Sequence, residues 1–484
     1  MNRVSEKMMR KWVDLGPRFL PFADAATADL PLSKLLRLSL FQVTVGMALA
    51  LLIGTLNRVM IVELGVPASL VAIMISLPIV FAPFRAVIGF RSDIHHSALG
   101  WRRIPFLWRG TMWQFGGLAV MPFALLVLAG QGNAGAYPAW FGELGAAIAF
   151  LLVGAGVHTT QTVGLALATD LAPPESQPKV VGLMYVMLLL GMIASALIFG
   201  AVLVDFTPLR LVRVVQGAGA VTMALNILAM WKMESRNRAR AQAHMAAPKP
   251  DPGFRESWDS FVAGGNAIRR LIAVGIGTMA FSMEDILLEP YGGQILHLPV
   301  GTTTKLTATL AIGGLFGFGL ASKVLSRGFD PFRMACFGAL AGLPAFLFVI
   351  SAAPLNSMWL FAVGTFLIGF GGGLFGHGTL TATMQLAPKE QTGLALGAWG
   401  AVQASAAGVA VALGGIIRDV VAGMPERNVM GPATGYVLVY AIEIVLLCAA
   451  IVAMIPLLRR ASRAAPRWSD SAIGTMSPPV AGGD

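Results

Sequence analysis

Long apolar runs alternate with short polar segments along most of this chain. A helix crossing a bilayer needs about 20 consecutive apolar residues. Runs of that length fall near 38–60, 67–90, 104–128, 143–169, 180–204, 212–233, 271–296, 306–326, 333–353, 357–383, 393–417 and 435–458. They predict twelve membrane-spanning helices in an all-α, polytopic protein. The longest polar break begins at Glu234, carries Pro248, Pro250 and Pro252, and divides six spans from six. The expected layout is a cytoplasmic arm over 1–34, a six-helix bundle over 35–233, a cytoplasmic linker over 234–270, a second bundle over 271–460 and a disordered cytoplasmic tail over 461–484.

The two halves repeat each other. Leu171-Ala172-Pro173-Pro174-Glu175 returns as Leu386-Ala387-Pro388-Lys389-Glu390, a spacing of 215 residues (171 to 386), and the same offset carries Gly154 onto Gly369, Gly156 onto Gly371 and Gly182 onto Gly397. A membrane chain that repeats at half its length is most simply two homologous bundles facing each other across a cavity.

Composition removes the soluble classes. Hydrophobic residues make up 56% and charged residues 12% of the chain, and mean hydropathy is +0.73. Soluble domains carry about 25% charge. The net charge of +11 reports topology. Cations crowd the N-terminal arm (Arg3, Lys7, Arg10, Lys11, Arg18, Lys34, Arg37), the linker and the start of the tail, whereas the opposite face offers only Arg210, Arg213, Lys305, Arg418 and Arg427. This is the positive-inside pattern with both termini cytoplasmic, and it points away from nucleic acid. In the arm, Val4, Met8, Trp12 and Leu15 form one helical face with Lys7, Arg10 and Lys11 elsewhere, which suits either a helix lying on membrane lipids or one packed on the protein's own loops. No cleavable signal peptide is read at the start. Cys336 and Cys448 sit in apolar runs, where a lone thiol behaves as a small hydrophobe, so neither a disulfide nor a metal site is expected.

The loop after the second span contains Gly89, Asp93 and, beyond a tight turn, Arg102 and Arg103. It resembles the loop signature of the major facilitator superfamily, in which such residues latch the inner helix ends together. The second half keeps an eroded copy, Gly317-Phe318-Gly319 with Arg327 and Pro331-Phe332. His95 and His96 read as solvated loop residues. Two other strings are more distinctive: Leu56-Asn57-Arg58-Val59-Met60-Ile61-Val62-Glu63-Leu64-Gly65-Val66-Pro67, and Asp285-Ile286-Leu287-Leu288-Glu289-Pro290-Tyr291-Gly292-Gly293. With the loop, they make the chain similar to the PucC/LhaA family of that superfamily, from about residue 35 to about residue 460. The resemblance implies a facilitator fold, a place in the bacterial inner (intracytoplasmic photosynthetic) membrane, and a role in assembling light-harvesting complexes by handling bacteriochlorophyll. It implies antenna polypeptides or the reaction-centre core complex as partners, with bacteriochlorophyll synthase as a further one.

The residues also speak for themselves. Ionisable groups within spans cost a few kcal/mol unless they face a cavity or a partner, and Arg58, Arg85, Glu284, Asp285, Glu289 and Glu443 qualify. Asp285 and Glu289, four apart, are expected on one helical face, with Pro290 and Gly292-Gly293 breaking the helix just beyond. They would pair with Arg58 or Arg85 and fix the bundles or, in a transporter, carry protons.

His158, Gln161, Thr162 and Thr169 stripe the fourth span, and His377, Thr381 and Gln385 the tenth. The repeat maps Thr162 onto position 377, which puts the two histidines on the same face of equivalent helices, one turn apart. In a facilitator those helices line the cavity. A neutral imidazole there can ligate the magnesium of a bacteriochlorophyll, a water or carbonyl can do so instead, and a buried histidine can equally be satisfied by a neighbouring carbonyl or threonine. The glycine run from Gly369 to Gly378 either admits a flat macrocycle or lets another helix approach. No nucleophile–base arrangement, phosphate loop or metal-ligand spacing supports an enzyme. Two readings follow: a non-enzymatic assembly factor that binds bacteriochlorophyll or its esterified precursor and passes it to antenna polypeptides, or a proton-coupled transporter of a small hydrophobic or acidic solute.

Overall fold

In the computed structural model, residues 26, 30–78, 85, 88, 92, 101–173, 176–234, 266–325, 327–386, 392–424 and 431–461 are described. Twelve helical elements follow one another: α1 (Leu32–Glu63), α2 (Ala68–Ser76), α3 (Ile104–Leu128), α4 (Ala139–Leu171), α5 (Gln177–Val202), α6 (Pro208–Met230), α7 (Ala267–Gln294), α8 (Val300–Leu325), α9 (Pro331–Ala352), α10 (Met358–Leu386), α11 (Thr392–Ala422) and α12 (Thr434–Ala461). Among the described residues there is no strand, and eleven helices are long and apolar enough to cross a membrane. The exception is α2, described as a continuous helix only to Ser76. Helices are what an apolar chain must form in lipid, because every backbone N–H and C=O has to be satisfied within the segment. The chain is a multi-pass membrane protein.

Within the first half α1 packs on α5 and α6, and α3 on α4 and α6; within the second, α7 packs on α11 and α12, and α9 on α10 and α12. The halves meet through α5 against α8 and α2 against α11, a pairing that keeps the symmetry of the repeat. Small residues set the spacing: a Cβ on Gly313 would lie 2.0 Å from the Phe366 carbonyl oxygen, and one on Gly369 1.9 Å from that of Leu310. These backbones pack closer than any other side chain permits.

Two helices are irregular, and they meet. In α1 the stretches Ala50–Leu56 and Val59–Glu63 are π-helical, a wide turn that often marks a functional position. In α7 the α-helix stops at Ala280, a 3-10 turn covers Glu284–Ile286, and helix resumes over Leu288–Gln294. The break therefore precedes Pro290 and the glycine pair, the residues at which the sequence places it. The reason is local. Pro290 falls in the first turn of the resumed segment, where its missing N–H has no partner to lose. Asp285 lies in the 3-10 turn and Glu289 in the helix beyond, so the common helical face expected of them does not form.

The groups freed by the break are answered from two sides. Asn57 Nδ2 on α1 donates to the Ile286 carbonyl at 2.9 Å and reaches the Asp285 carbonyl at 3.4 Å. Glu443 Oε1 on α12 accepts from the Glu284 N–H at 2.7 Å. Further contacts between the halves gather at this same end, where α1 ends and α2 begins. The Ser69 N–H donates to Asp419 Oδ2 at 2.6 Å, Ser76 Oγ to the Gly408 carbonyl at 2.9 Å, and Arg58 Nη2 to the Leu298 carbonyl at 3.1 Å.

At the opposite end Arg102 and Arg103 both bond Asp170 at the close of α4, Arg103 Nε at 3.0 Å, and Arg103 Nη1 donates to Ser92 Oγ at 2.5 Å. Gly89 and Asp93, the other expected members of this latch, lie outside the described residues, as do His95, His96 and the N-terminal arm up to Ala25. The Glu234 carboxylate, from beyond α6, accepts from the backbone N–H groups of Arg102, Arg103 and Ile104. An acid at a helix start satisfies donors that have no partner within the helix and meets the positive end of its dipole.

Candidate functional site

His158 and His377 hold matching places along their helices. Each is nineteen residues beyond the first residue of its helix (158 from 139, 377 from 358), or about 28 Å along it. Both are half-buried.

On α4 the stripe is joined by an element it did not predict. Arg85, a helical position between α2 and α3, donates from Nε to Thr162 Oγ1 at 3.0 Å and from Nη2 to Gln161 Oε1 at 3.3 Å. It also bears electrostatically on His158 and on Tyr185 of α5. The Nδ1 of His158 is buried and finds no hydrogen-bond partner among the described residues. Thr169 donates to the Ala166 carbonyl at 2.9 Å.

On α10 the His377 ring lies 4.1 Å, centroid to centroid, from that of Phe318 on α8. Phe318 in turn lies 6.4 Å from Tyr185, a separation typical of interacting rings. Ring contacts thus run from Tyr185 through Phe318 to His377, crossing from one half to the other where α5 meets α8, and Arg85 lies within electrostatic range of both Tyr185 and His158. Phe318, assigned above to a worn copy of the loop, is a buried residue of α8. Thr381 is half-buried one turn beyond His377, and the Gln385 side chain lies outside the described ones.

The glycine run divides between its two readings. Gly369 and Gly373 face α8 and Gly371 and Gly378 face α9, each too close to a neighbouring backbone for a Cβ, whereas among the described residues Gly376 has nothing within 4 Å of the place where a Cβ would stand. Most of the run brings helices together; the bare position is the one beside His377.

The intramembrane charges assort differently from the pairing expected of them. Arg58, only 3% exposed, bonds Glu63 Oε1 at 2.5 Å. Glu289 accepts from the Thr307 hydroxyl, and a Cβ on Gly54 would lie 2.6 Å from both of those oxygens. Arg85 serves the α4 stripe. Among the described residues neither Asp285 nor Glu289 forms an ion pair with Arg58 or Arg85. The two distinctive strings nonetheless fold against each other, through Asn57 on the α7 break and through Arg58 packed over Gly293. Asp170, Glu234, Tyr185 and Thr307 escaped the sequence reading. Of these Asp170 was within reach, as the acid of the first repeat that becomes Gln385 in the second.

The model of the PUCC protein family matches residues 55–462. A protein of Cereibacter sphaeroides named Protein PucC is 58% identical over 461 residues, covering 95% of this chain and 99% of its own. The chain belongs to the PUCC family. Membership supports a role in photosynthetic complex assembly. A more distant relative, 27% identical over 425 residues and covering 85% of this chain and 92% of its own, is named Bacteriochlorophyll synthase 44.5 kDa chain in Rhodobacter capsulatus. Among solved structures, the fold resembles the inward-facing, unoccupied crystal structure of a bacterial homolog of the human lysosomal transporter Spinster. The TM-score is 0.63 at 14% identity, covering 88% of this chain and 97% of that one. This likeness gives the major facilitator fold alone.

Proposed function

We propose that this PUCC-family protein binds bacteriochlorophyll or its immediate precursor in its interior and delivers it to newly inserted antenna polypeptides, without catalysing a reaction. The observation that carries the reading is the Tyr185–Phe318–His377 ring series where the two halves meet, with Arg85 and His158 in electrostatic range at its α4 side, which offers imidazole and flat aromatic surface. His158 Nδ1, which has no hydrogen-bond partner among the described residues, is an atom to which a ligand can bind once the site opens to it. If its lone pair faces outward it can ligate the pigment's magnesium; if it is protonated it can donate to a ring carbonyl. Gly376 leaves room beside His377 for a ring edge. On this reading the partners are the antenna polypeptides or the reaction-centre core complex. A synthase docked alongside would supply the pigment, consistent with the name of the distant relative. The excess of cations in the arm, linker and tail supports the inner membrane with both termini cytoplasmic. The end of the fold where α1 meets α2 would then face outward and the Arg102–Arg103–Asp170 latch inward.

The test is an absorption spectrum of the protein purified from its phototrophic membrane. A near-infrared band at fixed stoichiometry is expected, and it should fall in a His158→Ala, His377→Ala double variant expressed at the parent level. A colourless parent protein, or unchanged pigment in the double variant, overturns the reading.

The buried carboxyls favour a second reading. Glu289 and Glu284 are 4% and 1% exposed beside a broken helix, an arrangement facilitators use for coupled ions. A proton-coupled transporter would lose uptake into vesicles on Asp285→Asn with Glu289→Gln, and a parent protein without uptake removes this alternative.

A further inference from the structure

Arg85 holds a positive charge inside the helix bundle, and among the described residues none of its partners carries the opposite one. Its two hydrogen bonds go to the neutral side chains of Thr162 and Gln161. Among the described residues no carboxylate lies within ion-pair reach of it. Other arginines are answered: Arg58 by Glu63, Arg103 by Asp170, Arg418 by Asp419. A guanidinium carries five N–H donors in a planar fork, so most of the fork is left for something else. An arginine set in an apolar interior is costly without an anion or water to meet it, and such residues mark ligand sites. Gln161 and Thr162 hold its plane in place. His158, with its unpartnered Nδ1, and Tyr185 lie in its electrostatic neighbourhood.

We infer that this site receives an acid group, a carboxylate carried on a flat, apolar ring system, with the acid on Arg85 and the ring against Phe318 and His377. The inference rests on the proposed pigment-binding reading and narrows it. Of the tetrapyrroles that fit such a ring series, the site selects the free acid over the same ring closed as an alcohol ester. The distinction is electrostatic. A carboxylate takes two charge-assisted hydrogen bonds from a guanidinium, whereas an ester offers one neutral carbonyl and no charge to offset the half-buried cation. The protein would accordingly meet the pigment at the stage before its long-chain alcohol is attached, and release would follow the loss of that charge on esterification by a separate enzyme.

The experiment uses the full-length protein in phosphatidylcholine nanodiscs, titrated separately with bacteriochlorophyllide and with bacteriochlorophyll and followed by the near-infrared band. The acid is expected to bind about tenfold or more tighter than the ester, the scale of one charge-assisted contact. Arg85→Gln should remove that preference by weakening the acid alone, and Arg85→Lys should keep part of it, with melting curves checking that each variant is folded. Equal binding of both pigments by the parent protein overturns the inference and leaves pigment binding intact; binding of neither overturns both. A preference that disappears in phosphatidylglycerol discs also overturns it, by assigning the cation to a lipid headgroup. Should Arg85→Gln fail to fold, the parent protein's choice between acid and ester decides alone.

Discussion

Arg58 and Glu63 are five residues apart and bonded at 2.5 Å. In a regular α-helix such positions stand about 140° apart around the axis. The π-helical turns of Ala50–Leu56 and Val59–Glu63 widen the period and bring them onto one face. The pair closes the end where α1 meets α2, because Arg58 also holds the Leu298 carbonyl of the other half. Glu63→Gln leaves a buried cation short of its charge partner and should cost about 1–3 kcal/mol. We expect a lower melting temperature and faster maleimide labelling of a cysteine placed at Ser69, in a background lacking Cys336 and Cys448. Unchanged labelling would show that Arg58 does not hold this end closed.

At the other end Arg102 and Arg103 share Asp170 but not its environment. The Arg103 side chain is 5% exposed and that of Arg102 41%. Exposed ion pairs contribute about 0–1 kcal/mol, while removal of a buried, hydrogen-bonded cation also strands its partners. Arg103→Ala should therefore cost about 2–3 kcal/mol and Arg102→Ala under about 1 kcal/mol. Thermal melts in detergent distinguish the two, and equal losses would refute the role given to burial.

Much of this was legible in the chain. Runs of apolar residues have one solution in lipid, so the helices followed directly, and the 215-residue repeat carried the equivalence of α4 and α10. Arg58, Arg85 and the two histidines stood out because polar groups in spans are rare. What stayed hidden depends on three dimensions. A period-four rule put Asp285 and Glu289 on one face, and it failed because the α7 backbone changes helix type at Phe281. Arg85 could not be matched to Gln161 and Thr162, 76 and 77 residues away, because nothing in spacing says which turn of α4 it meets. Phe318 looked like a loop remnant because its glycine neighbours echo the first half, whereas Gly317 serves the packing of α8 on α10.

Glu443, fully buried on α12, meets the Glu284 N–H released by the break in α7. Its charge is not needed for that contact; an oxygen in the same place is. Glu443→Gln keeps the acceptor and should change stability by less than about 1 kcal/mol, while Glu443→Ala strands the N–H and should cost about 1–3 kcal/mol. Denaturation monitored by circular dichroism separates the pair. A glutamine variant as damaged as the alanine one would mean that the carboxylate itself is required.

Gly369 and Gly376 lie seven residues apart on α10 and answer to different neighbours. A Cβ at Gly369 would stand 1.9 Å from the Leu310 carbonyl oxygen, and its α8 partner is rigid backbone that cannot step aside. Gly369→Ala must push α8 and α10 apart, with an expected loss of about 1–3 kcal/mol as for other overpacked interfaces and lower yield of folded protein. At Gly376 a Cβ meets nothing within 4 Å among the described residues, and alanine in a helix interior is favoured over glycine by about 1 kcal/mol. Gly376→Ala should leave folding intact or improved, and Gly376→Leu should fold while filling the space beside His377. If that space admits a pigment ring, the leucine variant purifies with parent-like stability and reduced near-infrared absorbance. Equal absorbance in parent and leucine variants would place the ring elsewhere, and loss of folding at Gly376→Ala would show that the space is needed for packing.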